Sequence, residues 1–303
     1  MKSRYQIILA IVLGAILPSI ILRFYSSPQH KETRAVQTVY VLHGDQVEAI
    51  ELESYLIGVV LAEMPADFEE EALKAQAVAA RTFTLYRKAA QPKHESAEIC
   101  TDPGCCQGYL PWEEYLANGG DLEDVNKIST CVVATKGEIL CYNQEIIEST
   151  YFSASGGRTE DAKAVWGSDV PYLQSKESPG ESQPEQIIRM STEEFCQALR
   201  MEKNAVSIDK IVYTRGNGIA EASINGSVFT GLQLRRLLGL FSTDISFDIY
   251  GDVVEITAKG KGHRVGMSQY GADAMAMKGS TYSEILLHYF TGVTICSYDS
   301  LEN

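Results

Sequence analysis

Positive charge is what this chain has least of. Its 303 residues carry 26 Lys and Arg against 40 Asp and Glu, a net charge of −14. So acidic a surface repels a polyanion, which excludes bulk binding of nucleic acid. No internal repeat recurs, and 45% hydrophobic with 22% charged residues places the chain among globular proteins, away from disordered and collagen-like ones. Regular alternation of strand and helix is also missing. Helices and strands are interspersed, which argues an α+β body rather than a doubly wound sheet. Two chemical signatures are absent as well: the glycines at 260–271 do not end in Lys-Ser/Thr before a helix, so they form no Walker loop, and Ser153 and Ser155 lack the Gly-x-Ser-x-Gly elbow.

What is present begins with an apolar run from Tyr5 to Tyr25, uncharged until Arg23 and long enough to cross a hydrocarbon core as a helix. Lys2 and Arg4 precede it, which predicts a cytoplasmic N-terminus and an extracytoplasmic body. No Ala-x-Ala site follows, favouring an uncleaved anchor over a signal peptide. Residues 1–25 therefore read as a single transmembrane helix, 26–35 as a polar tether, and 36–303 as a mixed helix and strand body with a substrate groove.

The body opens with alternating residues on either side of Gly44-Asp45, a hairpin pattern. Helical spacing follows. Leu52, Leu56, Val59 and Val60 share one stripe, and the next position on it is Glu63. A carboxyl held against apolar side chains has its charged form disfavoured, so Glu63 is a candidate general acid; a helix end turned to solvent is the plainer alternative. Pro65 stops this helix, and a second runs from about Glu69 to Lys88 with Ala72, Ala75 and Ala79 on a close-packing face. Asp67, Glu69, Glu70 and Glu71 read as a solvated helix start, which leaves Glu63 without a convincing second carboxylate. Further along, Ser129 to Cys141 and Glu145 to Ala154 read as strands.

Seven cysteines are an odd number, so complete internal pairing is impossible. Cys131, Cys141, Cys196 and Cys296 stand singly and read as small buried hydrophobes, with Cys131 and Cys141 a possible disulfide across the turn at Lys136-Gly137. His94, Cys100, Cys105 and Cys106 instead crowd an irregular, Gly- and Pro-rich excursion at about 90–120. They form the donor set of a structural zinc site; a disulfide from Cys100 to Cys105 or Cys106 is the alternative.

Three ordered segments then carry a resemblance: Glu53 to Pro65 continuing through Glu71 to Thr82, Ser153-x-Ser-Gly-Gly157, and Gly262-His263-x-Val-Gly266-Met-Ser-Gln-Tyr-Gly-Ala272. Together, over roughly residues 36–296, they resemble the stage II sporulation protein D family, whose domain is shared with amidase enhancers of the LytB type. The resemblance implies a membrane-anchored lytic transglycosylase that cuts peptide-stripped peptidoglycan between N-acetylmuramic acid and N-acetylglucosamine during engulfment, leaving 1,6-anhydro ends. It makes Glu63 the acid and then the base, with Arg81, Ser153, Ser155, His263, Gln269 and Tyr270 lining the glycan groove. It also implies zinc on His94, Cys100, Cys105 and Cys106, with none required for the chemistry, and stage II sporulation proteins P and M as partners. A non-catalytic glycan-binding enhancer of an amidase is the alternative that the other branch implies. A zinc hydrolase is a third, opposed by four ligands that would fill the metal's coordination sphere.

Overall fold

The computed structural model describes residues 37–90, 93–178, 180–181, 185–202 and 205–301. The apolar run 5–25 and the tether lie outside them, and among the described residues no helix is long and apolar enough to cross a membrane.

The body is mixed α+β. Strands β1 (Thr38–His43) and β2 (Gln46–Glu51) form the expected hairpin. β2 runs directly into helix α1 (Leu52–Glu63), where the Glu51 carboxylate caps the first turn by accepting from the Ser54 N–H at 2.7 Å. Helix α2 (Glu70–Ala89) follows, with nearly every side chain from Ala72 to Leu85 buried. Its alanines explain that position, since small side chains let neighbours approach from all sides. α2 is the central rod of the molecule.

The excursion contains the two-residue strand β3 (Ile99–Cys100), parallel to β1, and the short helix α3 (Trp112–Ala117). Helix α4 (Leu122–Ala134) packs on α1 and α2, so the strand expected from Ser129 is corrected. Val125, Ile128 and Val132 are buried on one face of α4 at helical spacing, a period the β-branched run Val132-Val133 conceals. The strand there is only β4 (Glu138–Tyr142), followed by β5 (Glu145–Ile146) and β6 (Tyr151–Phe152). The longer strand expected over 145–154 is interrupted because Ser149 turns inward and donates to the Ala79 carbonyl of α2 at 2.7 Å.

The remaining elements are α5 (Ala162–Trp166), β7 (Gln186–Ser191), α6 (Thr192–Ala198), β8 (Ile208–Tyr213), β9 (Ile219–Ile224), β10 (Ser227–Thr230), α7 (Gly231–Leu238), β11 (Asp244–Tyr250) and β12 (Val253–Lys259). Last come β13 (Met267–Ser268), α8 (Gln269–Ala276), α9 (Tyr282–Tyr289) and β14 (Thr294–Ser297). Sheets β11-β12-β7 and β10-β9-β8 enclose a second hydrophobic core around Phe195, Ile219, Leu234, Ile245 and Ile256, separate from the core around α2.

β14 closes on β4, and there Cys141 and Cys296 form a disulfide with Cα atoms 6.4 Å apart. The Cys131–Cys141 pairing is thereby corrected: Cys131 is a buried free thiol on α4. Cys196 is likewise free and buried, and Cys100, Cys105 and Cys106 are free rather than bridged.

Candidate active site

Glu63 is the last residue of α1, and its half-buried carboxyl lines a cleft of about 510 Å³. The cleft is lined by Glu63, by Pro103, Gly104 and Cys106 of the excursion, by Tyr151, Phe152 and Ser153, and by Arg235, Phe241 and the loop Lys261–His263. Among the residues that line it, Glu63 is the single carboxylate. Burial raises its pKa above the ordinary range, against two hydrogen bonds that favour ionisation. The Gly108 N–H donates to Oε1 at 2.5 Å, and the Gln269 amide donates to Oε2 at 3.4 Å. Oε1 takes the short backbone hydrogen bond and Oε2 only the long one from Gln269, so Oε2 is the oxygen better placed to carry the proton.

Two glycines make this seat possible. A Cβ on Gly58 would lie 2.4 Å from the Tyr109 ring and 2.9 Å from the Leu110 carbonyl, so its absence lets the excursion lie on the α1 backbone, where Leu110 N donates to the Gly58 carbonyl at 3.0 Å. A Cβ on Gly108 would meet Glu63 Oε1 at 3.0 Å. Glycine inside a helix costs roughly 1 kcal/mol against alanine, so Gly58 was a readable sign of close approach that sequence reasoning passed over. Gln107, also passed over, is buried and joins the walls of the cleft: it donates to Tyr55 and Thr84 at 3.0 and 2.8 Å and accepts from the Tyr151 hydroxyl at 2.8 Å. Burial, reinforced by the Glu63 charge, raises the Tyr151 pKa well above its ordinary value, so the phenol stays a hydrogen-bond donor.

The two glycine-containing motifs meet along a seam beside Glu63. β13 runs parallel to β6, Ala154 and Lys261 exchange backbone hydrogen bonds, and Tyr270 N donates to the Ser153 carbonyl. Ser153 and His263 consequently line the cleft, and Gln269 reaches Glu63. The His263 ring lies against Phe152 and Trp166, accepts from the Val265 N–H through Nδ1, and is pushed down to about 4 by burial and by the nearby Arg235 charge. It is neutral across the physiological range.

Three residues expected in the groove are placed elsewhere. Arg81 is fully buried and holds Glu53 in a two-pronged ion pair at 3.0 and 2.6 Å while donating to the Val132 and Glu138 carbonyls. It ties α1, α4 and β4 together. Ser155 is buried too, its hydroxyl and N–H both donating to the Glu181 carboxylate at 2.7 Å. Tyr270 packs its ring edge-on against Phe68, with centroids 5.0 Å apart, and is not among the residues lining the cleft.

His94, Cys100, Cys105 and Cys106 gather with their donor atoms within 4.8 Å of one another. His94 Nε2 lies 3.4 Å from Cys106 Sγ and 3.8 Å from Cys105 Sγ, and those two sulfurs are 4.0 Å apart. Tetrahedral zinc at ordinary bond lengths spaces its ligands by about 3.8 Å, so the spacings among His94, Cys105 and Cys106 fit that ion, with Cys100 as the fourth donor in the cluster. Cys106 itself borders the cleft, two residues before Gly108.

Fold and cleft define a class: a mixed α+β protein with one desolvated carboxyl and one neutral imidazole facing an open groove between two cores. Residues 43–142 match the family described as stage II sporulation protein. The chain is 38% identical over 286 residues to stage II sporulation protein D of Bacillus amyloliquefaciens, covering 91% of this chain and 83% of that one. With its namesake in Bacillus subtilis it is 39% identical over 276 residues, covering 88% and 80%. An amidase enhancer of Bacillus subtilis is 30% identical over 302 residues, which is 80% of this chain but 40% of the enhancer. This chain belongs to the stage II sporulation protein family, and sporulation is the process in which that family takes part.

Proposed function

We propose that this protein is a lytic transglycosylase acting on peptide-stripped peptidoglycan glycan strands in sporulating cells. The observation that carries the reading is a single desolvated carboxyl in a cleft without a second one. Hydrolytic glycosidases use two carboxylates, the second as nucleophile or as base for water. With one, the nucleophile has to come from the substrate. Protonated Glu63 gives its proton to the glycosidic oxygen, which leaves with the N-acetylglucosamine end. The carboxylate so formed takes the proton of the muramic 6-hydroxyl as that oxygen bonds to C1, which closes the 1,6-anhydro ring and restores the acid. The Gly108 N–H steadies Oε1 in both states, and Gln269 holds Oε2.

Zinc, bound by His94, Cys100, Cys105 and Cys106, would fill its four positions with protein ligands and serve as a staple in place of a core for the excursion. Its consequence for the site is indirect, through the placement of Gly108 against Glu63. Metal analysis of the purified chain is expected to find zinc, and Cys106→Ser to lose it together with thermal stability. An N-terminal membrane anchor, an extracytoplasmic body and the sporulation proteins P and M as partners complete this reading by family resemblance.

A second reading, a glycan-binding enhancer of an amidase, draws on the similarity to an amidase enhancer. The full-length chain and its Glu63→Gln form on peptide-stripped strands separate the two. Mass spectrometry is expected to find 1,6-anhydro-muramic ends with the wild type and none with the variant. Glycan bound but intact in both samples would assign the chain to the enhancer class.

A further inference from the structure

In a chain with net charge −14, the lining of the cleft includes two cationic side chains, Arg235 and Lys261. Neither forms an ion pair among the described residues. Arg235 projects from the last turn of α7, where its Nε donates weakly to the Leu240 carbonyl at 3.4 Å, and it borders both the main cleft and an adjoining pocket of about 150 Å³. The one carboxylate bordering that pocket, Glu160, engages Arg264, Thr214 and the Gly218 N–H through Oε1 and forms no ion pair with Arg235. Lys261 is placed by the Phe241 ring, its Nζ 5.5 Å from the ring centroid. Burial lowers the Arg235 pKa, yet arginine keeps its proton in proteins, so the cleft holds a partly desolvated guanidinium with no counterion among the described residues. Such a group favours an anion, and its planar fork matches a carboxylate.

Resting on the glycan-cleaving reading above, we propose that Arg235 and Lys261 bind the lactyl carboxylate of muramic acid and so select strands whose stem peptides have been removed. The chemistry gives the discrimination directly. A stem peptide is attached to the lactyl group as an amide, which is neutral at that carbonyl; hydrolysis of the amide releases a carboxylate. A cation in the cleft with no ion pair among the described residues thus distinguishes the product of amide hydrolysis from its substrate. Arg235 and Lys261 are specificity determinants here, and the proton transfers remain with Glu63.

The test measures equilibrium binding by the full-length chain carrying Glu63→Gln, so that cleavage does not intervene. The probes are peptide-stripped strands and the same strands with lactyl carboxylates converted to neutral methylamides, with a glycerol-phosphate polymer as competitor. The free carboxylate is expected to improve affinity about tenfold or more, the range of a charge-assisted hydrogen bond. Arg235→Gln is expected to remove most of that preference and the exposed Lys261→Gln a smaller part, each lowering affinity for free-carboxylate strands more than for methylamide strands. Arg235→Lys, which keeps the charge without the fork, should retain part of it, an outcome that a merely structural arginine would not give. An undiminished preference in both Gln variants overturns the assignment, as does cleavage of both strand types by the wild type at equal rates. Tight Arg235-dependent capture of the phosphate polymer, with the carboxylate ignored, overturns it in favour of a phosphate site. Absence of binding to either strand type overturns the glycan-cleaving reading and this assignment together, whereas cleavage without carboxylate preference overturns the assignment alone.

Discussion

Arg81 and Arg264 are wholly buried with carboxylates in contact, while Arg235 and Lys261 border the cleft with none among the described residues. The same contrast separates Glu53, clasped by Arg81, from Glu63, which is held by a backbone N–H and an amide alone. The difference teaches how to read charge in this fold. A buried ion with its counterion is architecture: Arg264, at a φ of +66°, ties the Ser155, Arg158 and Gly216 carbonyls to Asp244 and so fixes the loop that presents His263 and Lys261. A half-buried ion without one is held ready for something that arrives.

That contrast predicts opposite profiles for substitutions in the two regions. The largest effect is expected at Glu63→Gln, with turnover reduced by about 10²–10⁴-fold, the usual contribution of a general acid, and denaturation midpoint unchanged or raised because a desolvated carboxyl is removed. Arg81→Met and Arg264→Met should do the reverse. Each leaves a buried carboxylate uncompensated, and urea unfolding is expected to show a loss of about 3–5 kcal/mol, against less than about 1 kcal/mol for Arg235→Gln. A stable Arg81→Met protein with glycan binding abolished would instead return Arg81 to the groove.

Cys296→Ser is expected to cost about 2–4 kcal/mol by opening the crosslink between β4 and β14, with product chemistry preserved; urea unfolding under non-reducing conditions checks it, since reductant should narrow the gap between wild type and variant. The smallest predicted effect is in pH dependence. Activity requires Glu63 protonated, so it falls as pH rises through a pKa that burial has raised. Gln269 favours the ionised form; Gln269→Ala therefore moves the alkaline limb upward, by less than about one pH unit for so long a hydrogen bond. His263 is already neutral at these pH values and contributes no limb there.

Much of the site's frame was legible because it is written in local periodicity. The stripe Leu52, Leu56, Val59, Val60 ends on Glu63 in the sequence as it does in the fold, and the His94 and cysteine cluster is confined to a short excursion. The hairpin β1-β2 and helices α1 and α2 followed from alternation and helical spacing. What failed depends on partners remote in sequence. Nothing near Arg81 marks Glu53, one helix earlier, as its counterion, and nothing near Cys141 marks Cys296, 155 residues away. Ser155 is assigned to the groove by the resemblance of its motif, which carries no sign that Glu181 takes both its donors. Arg235 carried no motif at all; only the folded arrangement shows that it lines the cleft with no counterion among the described residues.

The central claim is that one carboxyl suffices because the substrate supplies the nucleophile. It is tested most directly by cleaving peptide-stripped strands with the full-length chain in water enriched in heavy oxygen and weighing the new muramic ends. The account predicts ends free of the isotope and lighter by one water than a hydrolysed sugar. Heavy oxygen incorporated at C1 would contradict it, since water would then be the nucleophile and a second base would have to exist in the cleft.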